Sequence, residues 1–150
     1  MSMFSAFNIN ASGLTAQRYR MDIISQNVAN ANTTRTADGT PYRRKTVVFA
    51  EKSGQTTFSH VLGQAAYSQG YTGKGVKVTG VYEDYETEMN MVYDPSHPDA
   101  DENGYVTYPN VNIITEMTNM IDASRAYEAN ATAFNASKSM AVQGLEIGRG

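Results

Sequence analysis

The chain has no cysteine and no tryptophan, and none of its four prolines lies outside residues 41–109. Without cysteine there are no disulfides, no thiol catalysis and no cysteine-ligated zinc. The proline distribution leaves each end free to run as one helix, while Pro41, Pro95, Pro98 and Pro109 punctuate the middle. No stretch approaches the roughly 18 apolar residues of a membrane span. A basic excess is missing too. Twelve Lys and Arg against 15 Asp and Glu give a net charge of -3, and Arg18, Arg20, Arg35, Arg43, Arg44 and Lys45 gather into no dominant basic face. Nucleic acid is therefore not an expected partner. The opening MSMFSAFNINASG has neither the basic nor the apolar region of a cleaved leader, so any export is expected to use another route.

What is present is an asymmetry between ends and middle. Phe7, Leu14, Met21 and Val28 fall seven apart, as do Met120, Tyr127, Phe134 and Ala141, beside a second row of Met117, Ser124, Ala131 and Leu145. A seven-residue repeat marks a helix seeking another helix. The spacing predicts an amphipathic helix over 5–32, with Ala11 between Phe7 and Leu14 and Ile24 widening the stripe beside Met21, until Asn30, Asn32, Thr33, Thr34 and the Asp38-Gly39 pair favour a turn. A second helix is predicted over 111–147, about 50 Å long at 1.5 Å per residue. Small residues such as Ala123, Ala126, Ala133 and Ser137 suit it to close approach by more than one neighbour.

The middle holds eight of the ten tyrosines and, between residues 36 and 109, eight of the twelve glycines. Short strands are predicted over 44–50, 56–62, 76–82, 90–93 and 105–108, with a polar loop at 53–55 and a glycine-rich one over 63–75. The expected fold class is α+β, in which long N- and C-terminal helices form a coiled-coil-like pair around a small central β-rich insert. Its segments are 1–35, 36–109 and 110–150, the last pairing with the first. The insert is thin in apolar residues, so its stability is expected to lean on neighbours.

Candidate chemistry is sparse. Asp99, Asp101, Asn103 and Gly104 open like a calcium loop, but Asn110 stands where a bidentate glutamate is needed and Pro95, Pro98 and Pro109 flank the run, which favours an Asx-rich turn. His60 and His97 lack metal-ligand spacing, and His97, between Ser96 and Pro98, is expected to shape a turn. Glu83, Asp84, Glu86 and Glu88 read as a solvated face rather than as an opposed catalytic pair. GYTGKGVKV lacks the spacing of a phosphate loop. No catalytic residue, metal or cofactor is expected.

The bland reading of the heptads is the core of an ordinary monomer. Two narrow stripes offer little burial against the cost of ordering two long helices, so surfaces shared between subunits are favoured. The candidate interface is Phe7, Ala11, Leu14, Met21 and Val28 with Met117, Met120, Ser124, Tyr127, Ala131, Phe134, Ala141 and Leu145.

Residues 12–34, SGLTAQRYRMDIISQNVANANTT, resemble the N-terminal signature of bacterial flagellar rod and hook proteins, whose motif falls here on Gly13, Leu14, Asn27, Ala29, Asn30 and Asn32. Residues 124–150, SRAYEANATAFNASKSMAVQGLEIGRG, resemble the matching C-terminal signature. The insertion RTADGT before Pro41, together with YDPSHPDADENGYV at 93–106, is most similar to the proximal rod branch. The resemblance implies a structural subunit of the basal body, exported by the flagellar type III apparatus and polymerised into a tube that transmits torque around an export channel. It implies as partners copies of itself, other rod proteins and proteins of the junction between MS-ring and rod, and terminal segments that become helical on assembly. Another axial rod or hook subunit, or a monomeric calcium- or ligand-binding module, are the alternatives.

Overall fold

The computed structural model describes residues 3–52 and 73–148. The strand predicted over 56–62, the polar loop at 53–55, His60 and most of the glycine-rich loop lie outside the described residues. Among the described residues two helices and four strands follow in the order α1 (Met3–Ala29), β1 (Lys45–Glu51), β2 (Val76–Glu83), β3 (Asn90–Tyr93), β4 (Tyr105–Tyr108) and α2 (Ile113–Ile147). The fold is α+β, with two terminal helices and a small antiparallel insert between them.

α1 stops at Ala29, three residues before its predicted end, because the chain tightens there. The N–H of Ala31 reaches back to Val28 O at 3.3 Å and that of Thr33 to Asn30 O at 3.1 Å. The Asn30 side chain holds this turn, donating to Gln26 O at 2.9 Å and accepting from the Thr33 hydroxyl at 3.2 Å. α2 begins after Pro109 with Asn112 as a clean N-cap, its extended backbone placing the side-chain oxygen to accept from Ile114 N at 3.0 Å and Thr115 N at 3.2 Å.

β1 and β2 form an antiparallel ribbon running along α1. At one end Lys45 meets Asn27, and at the other Val76 N donates to the Ser12 hydroxyl at 3.0 Å. Seven strand residues span about 23 Å and the fifteen helical steps from Ser12 to Asn27 about 22 Å, so ribbon and helix are matched in length. Gly75 sits at the far dock with φ +96°, and a Cβ there would lie against the Ser12 hydroxyl, so glycine is required on both counts. The register shifts between Val48 and Phe49, where Val48 faces Gly80 and Phe49 faces Val78.

β3 and β4 make a second hairpin, Asn90 opposite Tyr108 and Tyr93 opposite Tyr105. Among the described residues none of the other helices or strands packs on it. Loops tie it down instead, through Asp99 to Thr34 and through Asn110 to Asp84 and Thr87. The buried apolar residues are Ala16, Ile23, Ile24, Ala31, Tyr42, Val106, Val111 and Ala123, of which Ala31, Tyr42 and Val111 form one core cluster. Among the described residues no helix is long and apolar enough to cross a membrane.

Candidate assembly interface

α1 and α2 pair along their length, with neighbours advancing on one as they retreat on the other. The rings of Phe7 and Phe134 meet edge-on with centroids 5.1 Å apart. Gly13 lies so close to α2 that a Cβ there would sit 2.7 Å from Asn130 Oδ1, and Asn27 reaches Glu116. The pair is therefore antiparallel. On α2 the seam steps by four and three through Glu116, Met120, Ala123, Tyr127, Asn130, Phe134, Ser137 and Ala141, a left-handed coiled-coil spacing.

Four of the expected C-terminal residues, Met120, Tyr127, Phe134 and Ala141, lie half-buried on this seam. The second expected row does not. Met117 is 58% exposed and Leu145 69%, while Ser124 and Ala131 flank the seam half-buried. One residue is about 100° of helix, and the row facing α1 is Glu116, Ala123, Asn130 and Ser137. On α1, Phe7, Leu14 and Met21 are half-buried, Ala11 is exposed and Val28 stands 36% exposed at the edge. The deepest positions are instead Asn27, Ala16, Ile24 and Ile23, of which only Ile24 was expected on the stripe. Hydrophobicity alone misses this line because small and polar residues occupy it, letting the backbones approach closely.

A buried polar cluster closes the insert end of the seam. Asn27 is 1% exposed and uses its whole hydrogen-bonding capacity. It donates to Lys45 O and Glu116 Oε2, both at 2.8 Å, and accepts from Tyr42 OH and Lys45 N, both at 2.9 Å. Glu116, also 1% exposed, takes Arg44 Nε on its other oxygen at 2.8 Å. Arg44 continues to Asp84 at 3.8 Å, and its N–H is held by Asn110 Oδ1 at 2.9 Å. One network thus ties α1, the starts of β1 and α2, and the end of β2. Burial first, then the nearby Glu83 and Glu116 carboxylates, raises the Tyr42 phenol above its ordinary value.

Of the six motif positions, Gly13, Leu14, Asn27 and Asn30 therefore have contacts that account for them, whereas Ala29 and Asn32 are exposed. Glu116, Arg44, Tyr42 and Asn110 escaped sequence reasoning. The one available signal was an acid in the first turn of a helix, at a seam position.

The insert's acidic residues are mostly occupied with the chain itself. Asp101 Oδ1 accepts from Asn103 N at 2.9 Å and Tyr105 N at 2.8 Å, an Asx turn. Asp99 takes the Thr34 hydroxyl at 2.8 Å and lies 3.7 Å from Arg35, and its N–H donates to His97 Nδ1 at 3.1 Å. Among the described residues no three His, Cys, Asp or Glu side chains are grouped to hold a metal. Asp84 departs from the expected solvated face. Its oxygens accept from the N–H groups of Glu86 and Thr87 and from the Thr87 hydroxyl, and the Thr87 bonds chiefly hold its carboxyl below the usual range.

The fold is thus a coiled-coil pair of terminal helices flanking a β insert and locked by a buried polar cluster. Residues 7–35 match the family model described as flagella basal body rod protein, and residues 102–147 the one described as flagellar basal body rod FlgEFG protein C-terminal. The chain is 45% identical over 153 residues to flagellar basal-body rod protein FlgC of Bacillus subtilis, covering 99% of this chain and 100% of the relative. It is 45% identical over 154 residues to FlgC of Borreliella burgdorferi, covering all of both, and 39% identical over 149 residues to FlgC of Salmonella typhimurium, covering 99% and 100%. The chain belongs to the FlgC family of flagellar basal-body rod proteins.

Proposed function

We propose that this structural rod subunit polymerises through its terminal helices into the proximal rod, a helical tube that transmits torque and surrounds the export channel. The observation that carries this reading is a second heptad row on α2. Ile114, Met117 and Ile121 are 77%, 58% and 54% exposed, and with Ser124 they repeat the three-four spacing on a side that α1 does not cover. An uncovered apolar seam gains by being buried against neighbours.

In this reading the expected interface residues divide the work. Phe7, Leu14, Met21, Met120, Tyr127, Phe134 and Ala141 hold the subunit's own pair, while Met117, Ser124, Ala131 and Leu145 face adjacent subunits, with Ala11 and Val28 at the edges. Segments 1–35 and 110–150 form the polymerising part, and the insert 36–109 faces outward. The partners are copies of this chain, other rod proteins and the proteins joining the rod to the MS-ring. The flagellar type III apparatus delivers the chain across the membrane, and the finished rod spans the periplasm. No catalytic step is involved.

Replacing Leu14 or Phe134 with Asp places a carboxylate in the seam and should abolish rod assembly and swimming, read by motility and by rod content of isolated basal bodies. Normal swimming in both variants would defeat the proposal.

A further inference from the structure

Charge on this chain is segregated along its length. Eight of the fifteen acidic residues and none of the twelve basic ones lie between residues 78 and 110. That stretch carries the end of β2 and the β3–β4 hairpin, beside residues 34–35 at the C-terminal end of α1. The opposite end of the ribbon carries Lys77 on β2, Lys52 just past β1 and Lys74 just before β2, all exposed beside the exposed Glu51, where Lys52 N donates to Gly75 O at 2.8 Å and Lys77 faces Ala50. Residues 53–72, which connect these strands, contain no charged residue. The lysine tip docks beside Ser12, so the two ends lie about 25 Å apart along α1.

Each end is only partly neutralised within the chain: at the acidic end Arg35, Arg44 and Lys45 pair with Asp99, Asp84 and Glu83, and Arg43 lies over the Tyr85 ring. Among the described residues, Lys52, Lys74 and Lys77 enter no ion pair, and neither do Glu86, Glu88 and Glu102. The acidic end is also apolar and open, with Tyr82 57% exposed at the end of β2, and Met91 63% and Tyr93 64% exposed on the hairpin, which no described helix covers. Tyrosine faces and carboxylates together suit ammonium groups, whose alkyl stems cover apolar surface while their heads find charge or a ring.

We propose that this acidic, tyrosine-bearing end is an interaction surface for the lysine tip of a second copy of the same chain, so that successive copies meet head to tail. The inference rests on the reading of the chain as a polymerising subunit and adds which surfaces meet. Parallel copies side by side in register would set like charge against like, whereas an offset of one ribbon length sets lysines against glutamates. A contact between two different patches does not close on itself and so propagates.

Zero-length carbodiimide coupling tests this on native chains, because it joins a lysine only to a carboxylate already in contact. In basal bodies assembled from a mixture of light and nitrogen-15-labelled subunits, peptides joining Lys52, Lys74 or Lys77 to Glu86, Glu88 or Glu102 are expected, with one light and one heavy partner. Lys74→Glu with Lys77→Glu should lower their yield about tenfold, and adding Glu86→Lys with Glu88→Lys should restore it. Assembled rods whose acidic-end glutamates couple only to other rod proteins, or to nothing, overturn the head-to-tail contact while leaving the polymerising role standing. Failure of that role shows separately, as swimming by the Leu14→Asp and Phe134→Asp variants.

Discussion

Near the insert, α1 and α2 bury Ala16, Ile23, Ile24, Asn27, Glu116 and Ala123, and Asn27 and Glu116 are bonded to β1 as well as to each other. Beyond Gly13 and Asn130 the pair rests on the edge-on contact of Phe7 with Phe134 and on Ser137, and Met140, Leu145 and Ile147 are 64%, 69% and 82% exposed. Sequence repeat and helix type are the same in both halves, but the surroundings differ. Close to the insert a helix is enclosed by partners of its own chain. Further out it has one partner and an uncovered side. Local stability follows such enclosure, so the inner half is expected to hold in an isolated subunit and the outer half to wait for neighbours.

Breaking the inner half should have the largest effect. Asn27→Leu leaves Tyr42 OH, Lys45 N and Glu116 without their partner in a buried site, where each orphaned group costs about 1–3 kcal/mol. A loss of about 3–5 kcal/mol is expected, read as a large fall in the thermal unfolding midpoint of the isolated chain. Phe134→Ala should cost less, about 1–2 kcal/mol, because its ring is only half-buried. That loss should be local, with faster amide exchange over 131–147 in assembled rods and little change in the thermal midpoint of the isolated chain.

The smallest effect is acid dependence at the edge of the inner half. Folded Asp84 ionises below its ordinary 3.8 because Thr87 and Glu86 bond its carboxylate. A group lowered in this way contributes stability above the unfolded value and loses it as pH falls through the folded one. The stability gap between the native chain and Asp84→Asn should therefore be widest above pH 3.8 and close on further acidification.

The regular elements were legible where periodicity carries them. Strand-forming residues between turns gave 90–93 and 105–108 to the residue, and the heptads gave both helices to within about three positions. The seam was only half legible. Counting apolar residues finds the Met120–Phe134 row, but it also selects Met117 and Leu145, which face away from α1, and passes over Gly13, Asn130 and Ser137, which face it. A glycine or asparagine at a helix contact earns its place by close approach or by hydrogen bonding, neither of which a hydrophobic period records. The polar cluster was illegible for a different reason. Asn27 and Glu116 are 89 residues apart in sequence, and nothing near either announces the other. The Asx turn at Asp101 was readable because its partners, Asn103 and Tyr105, are local.

Hydrogen exchange compared between the isolated subunit and assembled rods tests the central claim most directly. Amides of 16–31 and 113–127 should be protected in both samples, and those of 3–12 and 131–147 only in the rod. Equal protection along both helices of the isolated subunit, unchanged on assembly, would contradict the account.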